Sequence, residues 1–174
     1  DGLQHLALQR DMEIVVVDGA RFFGNGQLLP TGPLRESTKL MRHADMLVVN
    51  GGNGDWGLQM RLNMTHLRAL SDGVQRPITL FRGKTVHAVA GIGNPNRFFD
   101  QLRQAGLTVI EHAFPDHFVY AQSDFDFDET QPILMTEKDA VKCMDFADSR
   151  FWAVCVSAEL DREAEGLLWQ KLGI

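Results

Sequence analysis

Short apolar runs alternate with polar stretches along the chain, and this pattern predicts the elements of an α/β fold. The run EIVVVD at 13–18 is β-branched and bounded by polar residues, which is typical of a strand buried on both faces of a parallel sheet. The segment LRESTKLMRHA at 34–44 has its apolar residues on one side and predicts a helix, and DMLVVNGG at 45–52 predicts a second buried strand. Strand, helix and strand in this order indicate a parallel βαβ unit.

The pattern of apolar and polar residues changes after Gly51, and a second series of predicted strands and helices then begins. The segment LQMRLNMTHLRAL at 58–70 alternates apolar and polar residues, which indicates a half-exposed ribbon. Beyond it, the pattern predicts strands at 85–92, 107–114 and 151–160. It also predicts a loop followed by a helix at 93–106, a strand that enters a helix at 131–143, and a last helix at 161–173.

Composition and charge narrow the class of protein. The chain has 174 residues, 44% of them hydrophobic, which is enough to bury one substantial core or two small ones. Its net charge of -6 argues against binding to nucleic acid, because such binding requires a basic face on the protein. No apolar run is long enough to span a bilayer. Cys143 and Cys155 are too few for a disulfide framework and indicate reduced thiols in a cytosolic protein.

Two acidic residues are candidates for metal or phosphate chemistry. Asp1, followed by Gln4 and His5, could hold the Mg²⁺ that neutralises a transferring phosphate, or could form an ordinary turn. Asp18 follows a predicted strand, as in hydrolases that form an aspartyl-phosphate, but these generally carry a second Asp where this chain has Ala20. The alternative interpretation is that the Asp18 carboxylate caps the next turn.

The loop FGNGQLLPTGPLRES at 23–37 combines glycines with a basic and an acidic residue. Gly24 and Gly26 permit a tight turn and a close approach of the backbone to a ligand. Arg35 could grip a phosphate with its planar guanidinium group. Glu36 also suits the start of a helix for electrostatic reasons alone.

Three stretches of the second series carry further candidate chemistry. The turn GIGNPNRFF at 91–99 could cradle an anion at a helix N-terminus, although its spacing is not that of a dinucleotide fingerprint. His117, the histidine of FPDHFVY, could shuttle a proton or serve a structural role. In MTEKDAVK, Thr136 is a predicted helix N-cap with Asp139 at the capping-box position, and Lys138 could reach a phosphate or lie in solvent.

Taken together, these stretches resemble the tetraacyldisaccharide 4′-kinases, the lipid A 4′-kinases of Gram-negative bacteria. That family has, in the same order and approximate spacing, stretches like DGLQH, EIVVVDGARFFGNGQLLPTGPLRES, VVNGG, AGIGNPNRFF, FPDH and MTEKDAVKC. The resemblance implies transfer of the γ-phosphate of ATP to the 4′-hydroxyl of a tetraacyl glucosamine disaccharide 1-phosphate, a lipid A precursor. It also implies a requirement for Mg²⁺ and contact with the inner membrane at its cytoplasmic face.

The resemblance also implies roles for individual residues. Asp1 corresponds to the second Asp of a family doublet, and it would organise Mg²⁺ and the phosphates with His5 beside it. Glu36 would be a further metal ligand. His117, the second expected catalytic residue, would support the Asp base that takes the proton from the sugar hydroxyl. Nucleotide or substrate contacts are expected from His5, Asn25, Arg35 and Lys138.

The implied fold is a parallel-sheet βαβ remnant of a P-loop kinase domain at 1–52, joined by a β-ribbon linker at 53–84 to a smaller α/β C-terminal domain at 85–174. No G-x-x-x-x-G-K-[ST] motif occurs in the 174 residues, so we expect a C-terminal portion of the kinase that is inactive alone. Two alternatives remain open: a non-catalytic α/β module that binds a sugar nucleotide or glycolipid, and a phosphatase that uses Asp18.

Overall fold

The chain has a mixed α/β fold dominated by parallel strands. The computed structural model describes residues 4–5, 7–51, 56–128 and 130–173. Its strands are β1 (Ile14–Asp18), β2 (Met46–Asn50), β3 (Leu58–Ala69), β4 (Gln75–Arg76), β5 (Thr85–Ala90), β6 (Thr108–Ala113), β7 (Ile133–Thr136) and β8 (Phe151–Leu160). Its α-helices are α1 (Pro95–Gln104), α2 (Glu137–Cys143) and α3 (Arg162–Leu172), and short 3-10 helices occur at Thr38–His43, Ile78–Phe81 and Gln122–Phe125.

The residues group into two compact units, which we call the first and the second unit. The first unit comprises Asp1–Asn63 and Ala158–Ile174, and the second unit comprises Met64–Ser157. The three segments expected from the sequence, with their boundaries at 52/53 and 84/85, stay a prediction.

A small parallel sheet forms the first unit. β1 pairs with β2, and β2 pairs with the start of β3, both in parallel register. Helix α3 covers β2, because Ala164 packs with Met46 and Val48 in the core of this unit. The helix begins at a defined cap, where the Asp161 carboxylate accepts a hydrogen bond from the Ala164 N–H at 2.7 Å.

The prediction for β1 is wrong in part. β1 is a strand, but it is not buried on both faces: Ile14 is 46% exposed and Val16 is 55% exposed. Among the described residues β1 pairs with β2 alone, so one edge of this strand has no neighbouring strand. β2 does match the predicted buried strand, with Met46 and Val48 almost inaccessible to solvent.

The helix predicted over 34–44 is a 3-10 helix at Thr38–His43. Ser37 is its N-cap, and its side chain accepts a hydrogen bond from the Lys39 N–H. The residues before it are held in the preceding loop, because the Leu34 N–H donates to the Gln27 carbonyl at 3.2 Å and the Leu34 carbonyl accepts from the Leu29 N–H at 2.7 Å. Those loop hydrogen bonds take the place of the first helical turn. Strands β1 and β2 are therefore parallel, as predicted, but the segment that connects them contains no α-helix.

The second unit is built on a four-stranded parallel arrangement in which β5 is central. β6 pairs with one edge of β5, β7 pairs with the other edge, and β8 pairs with the far edge of β7. The predicted strands and helices of this series are confirmed, including α1, which has Pro95 at its start and ends before Gly106 at φ +90°. β4 pairs antiparallel with the end of β3, and β3 is half-exposed as predicted, whereas the expected linker role of this segment stays a prediction.

Apolar side chains cover both faces of the part of the sheet that lies in the second unit. On one face Phe99 and Leu102 of α1 pack with Val86 of β5, and all three are fully buried. On the other face Phe125 and Phe151 belong to an aromatic cluster. Within the described part of the chain, no helix is both long and apolar enough to cross a bilayer.

The two cysteines provide a test of burial in the second unit. Both are free and buried. Burial, reinforced by the charge of Asp139, raises the pKa of the Cys143 thiol to about 12, and burial also raises the pKa of Cys155. Because only the thiolate reacts, we expect both thiols of the native chain to react with a disulfide reagent at pH 8 more than about tenfold slower than in guanidinium chloride. Equal rates in the two conditions would contradict the structure.

Candidate active site

The carboxyl ends of three parallel strands form one edge of the second unit. β5 ends at Ala90, β6 at Ala113 and β7 at Thr136. The chain passes from β5 through α1 to β6 on one side, whereas β7, which continues into α2, lies on the other side of β5. Adjacent strands whose connections diverge in this way leave a crevice at their carboxyl ends, where α/β sheets bind ligands.

Three polar residues meet at this edge, and we call them the Asp116 cluster: Asp116, His117 and Lys138. The Lys138 Nζ donates a hydrogen bond to Asp116 Oδ1 at 2.7 Å. The His117 backbone N–H donates to the same oxygen at 3.0 Å, and His117 Nε2 lies 3.7 Å from Asp116 Oδ2. The structure therefore joins the FPDH and MTEKDAVK motifs, and the roles expected of His117 and Lys138 stay predictions.

His117 has an unusual backbone conformation. Its φ of +62° lies in the left-handed region, which is unfavourable for a residue with a Cβ atom. Within the described residues, Phe22 is the other non-glycine residue with a positive φ. The His117 side chain is 80% exposed, so its imidazole is open to solvent and to a ligand. Backbone strain of this kind concentrates at functional positions.

The charge of Asp116 is set by its neighbours. The hydrogen bond from Lys138, with a smaller contribution from the neighbouring His117, holds the pKa of the Asp116 carboxyl below its ordinary range. Asp116 is therefore a carboxylate at neutral pH. Because both side chains are nearly half exposed, the Asp116–Lys138 pair contributes little to stability, and its effect is to fix the positions of the two groups.

Asp139, the residue after Lys138 in α2, carries a fully buried carboxylate. Its Oδ2 accepts hydrogen bonds from the Gly91 N–H at 2.9 Å and the Thr136 hydroxyl at 2.7 Å, and its Oδ1 accepts from Lys142 Nζ at 3.0 Å. Thr136 is the N-cap of α2, as predicted, because its hydroxyl oxygen accepts from the Asp139 N–H. The carboxylate of Asp139 thus connects the start of α2 to the end of the neighbouring strand β5.

Only glycine fits at the point where β5 ends. A Cβ atom on Gly91 would lie 2.6 Å from the Tyr120 hydroxyl and 3.1 Å from Asp139 Oδ1. Tyr120 is buried, and burial together with the charge of Asp139 raises the pKa of its phenol, so the phenol stays protonated. The Lys142 ammonium lies 5.3 Å from the centre of the Tyr120 ring. The GIGNPN, FPDHFVY and MTEKDAVK motifs therefore converge on one buried network.

The predicted anion-binding turn at 91–99 takes part in this network. Its first amide, the Gly91 N–H, is bound by the protein's own carboxylate at Asp139. Asn94 is the N-cap of α1 but makes no side-chain capping hydrogen bond. A role for the rest of this turn in anion binding stays a prediction.

The candidate residues near the start of the chain belong to the first unit. Gln4 Nε2 donates a hydrogen bond to Glu36 Oε1 at 3.2 Å, which brings the DGLQH and PLRES motifs together. His5 is exposed, and its carbonyl accepts a hydrogen bond from Arg10 at 2.7 Å. Asp1 lies outside the described residues, so its predicted role as a metal ligand stays a prediction.

The candidate nucleotide contacts Asn25 and Arg35 are also exposed. The Asn25 side-chain amide donates to the Thr31 carbonyl at 2.9 Å, and its oxygen accepts from the Gln27 N–H at 3.1 Å. Both ends of this amide therefore stabilise the loop that carries it. The expected contacts of Asn25 and Arg35 with a nucleotide stay predictions.

Asp18 serves as a turn cap in this structure. Its Oδ1 accepts hydrogen bonds from the backbone N–H groups of Ala20 and Arg21, at 2.9 and 3.4 Å. The capping interpretation of Asp18 is confirmed.

The described residues do not assemble a complete metal site by themselves. Glu36 offers a hard carboxylate oxygen, which is the ligand type that Mg²⁺ prefers. However, no group of three or more His, Cys, Asp or Glu side chains that could hold a metal occurs within the described ranges.

Two members of the buried network were not identified as such from the sequence. Tyr120 ends the FPDHFVY stretch but received no role there, and Asp139 was assigned only to a local cap. The sequence signal for their contact was a glycine at the end of one predicted strand and a carboxylate in the first helical turn after another predicted strand. The contact between them depends on β5 and β7 being neighbours, which local sequence patterns do not encode.

Comparison with known proteins identifies the family. A family model described as tetraacyldisaccharide-1-P 4′-kinase matches residues 1–173. The tetraacyldisaccharide 4′-kinases of Methylobacillus flagellatus and Xylella fastidiosa are 54% and 50% identical to this chain, over 93% and 92% of its length. The aligned regions are 49% and 50% of those relatives, so the chain spans about half the length of the curated relatives it matches.

A solved structure gives the same result. The crystal structure of LpxK from Aquifex aeolicus, described as an "apo" form in complex with ATP, is 30% identical and superposes with a TM-score of 0.69. The match covers 98% of this chain and 56% of that protein. Fold, motifs and relatives together define the class: an α/β protein related to kinases. The chain belongs to the tetraacyldisaccharide 4′-kinase family, and the comparisons do not support the alternative of a non-catalytic binding module.

The buried network predicts the effect of replacing Asp139. Asp139→Asn should lower the free energy of unfolding by about 2–4 kcal/mol, because the amide cannot accept all three hydrogen bonds and leaves the Lys142 ammonium without its carboxylate. The measurement is urea denaturation followed by tryptophan fluorescence. The matched control is Asp100→Asn, which removes an exposed carboxylate paired with Arg103 and should change stability little. Equal losses in the two variants would show that Asp139 has no special structural role.

Proposed function

We propose that this chain forms part of an enzyme that transfers the γ-phosphate of ATP to the 4′-hydroxyl of a tetraacyldisaccharide 1-phosphate in lipid A biosynthesis. The observation that carries the proposal is the Asp116 cluster at the carboxyl edge of a parallel sheet, in a chain of the kinase family. ATP as the donor is supported by the Aquifex aeolicus relative, which was crystallised with ATP.

The Asp116 cluster suits a supporting role in proton transfer. Phosphoryl transfer depends mainly on positioning the reactants and on neutralising charge. The exposed imidazole of His117 would support the aspartate base that removes the proton from the 4′-hydroxyl, and the ionised Asp116 carboxylate would orient that imidazole. Lys138 fixes Asp116 and offers a positive charge near a phosphate.

Nucleotide and metal contacts are proposed for the first unit. His5, Asn25 and Arg35 would contact the nucleotide or the substrate, and Asp1 and Glu36 would bind Mg²⁺. The ion would supply neutralisation of the charge on the transferring phosphate. Because Glu36 is the one carboxylate of this pair within the described residues, we assign no individual step to the metal.

We also propose that the enzyme works at the cytoplasmic face of the inner membrane. Its proposed acceptor is an amphiphile with four acyl chains, which partitions into a bilayer. Large apolar side chains of the first unit are exposed, among them Leu8, Leu29 and Val16, at 57%, 59% and 55%. Exposed apolar surface of this kind is consistent with a peripheral contact with lipid.

The role of His117 is tested in a chimera, in which this chain replaces the matching segment of the Methylobacillus flagellatus relative. We expect His117→Gln to lower kcat by about 100-fold, since loss of a proton-transfer group typically costs that much, with little change in the KM for ATP. The assay is transfer of radiolabelled phosphate from ATP to tetraacyldisaccharide 1-phosphate. His43→Gln, an exposed histidine of the 3-10 helix, is the matched control and should retain full activity. An unchanged kcat in His117→Gln would remove His117 from the mechanism.

The activity of the chain alone is a separate test. We expect the 174-residue chain to transfer no phosphate in the same assay, because it contains no phosphate-binding G-x-x-x-x-G-K-[ST] motif. The active chimera is the positive control. Turnover by the isolated chain at a rate near that of the chimera would contradict this proposal.

A further inference from the structure

A groove with a volume of about 500 Å³ opens in the first unit. It lies between the 3-10 helix Thr38–His43, strand β2 and Trp56. Apolar side chains of four residues form most of its wall: Phe23, Met41, Leu47 and Trp56. Its volume is in the range of small-molecule sites, about 300–1,000 Å³. None of the candidate catalytic, nucleotide-binding or metal-binding residues lines it.

An aromatic cluster forms one end of this groove. The Trp56 ring stands edge-on to the rings of Phe22 and Phe23, with a centre-to-centre distance of 5.7 Å in both pairs. Trp56 is 41% exposed and Phe22 is 44% exposed, although each has a large apolar surface. Aromatic surface that packs together and still remains open to solvent is typical of a binding surface.

Two positive charges stand at the groove. Lys39 and Arg42 both line it, and they are three residues apart, which places them on one side of a 3-10 helix. Both are exposed, and within the described part of the chain neither is within 4.0 Å of a carboxylate. In contrast, Lys138, Lys142 and Lys171 are each paired with an aspartate. The groove therefore offers an apolar wall together with cations whose charge is not neutralised by a neighbouring acid.

We propose that the groove binds one acyl chain and the 1-phosphate of the disaccharide acceptor. This assignment rests on the proposed function, because it takes the ligand from that reaction. The apolar wall matches a hydrocarbon chain, and Lys39 and Arg42 match a phosphate. A nucleotide fits less well, since no amide or carboxylate side chain lines the groove to bind the edge of a base. The groove is thus a specificity site for the acceptor, separate from the phosphate-transferring residues.

A binding experiment tests the groove without any kinase activity. The 174-residue chain is titrated by calorimetry with decyl phosphate below its micelle concentration, with inorganic phosphate and with decyl maltoside as comparison ligands. We expect decyl phosphate to bind saturably and both comparison ligands to bind at least about tenfold more weakly. The double variant Lys39→Ala/Arg42→Ala should weaken decyl phosphate binding by about tenfold, and Trp56→Ala should do the same.

The control variant removes the same charge elsewhere in the first unit. Arg61→Ala/Arg162→Ala replaces two exposed arginines that do not line the groove, and it should bind decyl phosphate like the unmodified chain. An equal loss in both double variants would show that the interaction is unspecific charge attraction, and would overturn the proposal. This result does not depend on the chimera, so a failure of the groove and a failure of the proposed kinase activity can be distinguished.

The second experiment identifies the natural ligand with the chimera. Lys39→Ala/Arg42→Ala should raise the KM for tetraacyldisaccharide 1-phosphate by about tenfold with kcat within about twofold. The same variant should show no increase in KM with an acceptor that lacks the 1-phosphate. An increase with both acceptors, together with loss of binding to phosphatidylglycerol vesicles, would assign the groove to membrane lipid and overturn the proposal.

Discussion

One buried carboxylate holds the candidate active site of the second unit in place. Asp139 binds the amide of Gly91, the hydroxyl of Thr136 and the ammonium of Lys142. A buried carboxylate without such donors would be strongly unfavourable, so the folded state requires the ends of β5 and β7 to stay together. Lys138, the residue before Asp139, is consequently placed where it can bind Asp116.

The site divides into a buried part that gives rigidity and an exposed part that is available for chemistry. Asp139 and Tyr120 are buried and have no direct access to a ligand. Asp116, His117 and Lys138 are exposed, and their positions depend on the backbone that the buried residues fix. This arrangement lets reactive side chains remain solvated while their attachment points move little, which is a general requirement for positioning in catalysis.

The second unit could be predicted well from the sequence, because its strands are short apolar runs and α1 has clear start and stop residues. The first unit was harder to predict from the sequence. The apolar residues of β1 indicated full burial, yet burial depends on neighbouring strands that a local pattern does not specify. The segment 34–44 has helical periodicity, but backbone hydrogen bonds from Leu34 to the preceding loop delay the helix until Thr38. The motif residues stay candidates, whereas the Gly91–Asp139 contact could be found only from the strand order.

The composition of the first unit has a consequence for synthesis on the ribosome. This unit combines Asp1–Asn63 with Ala158–Ile174, whereas the second unit is one continuous segment, Met64–Ser157. Because Ala164 completes the core around Met46 and Val48, these two residues of β2 cannot be fully buried until α3, much further along the chain, has been made. The second unit has all its strands available sooner. We therefore expect the second unit to complete its core before the first unit does.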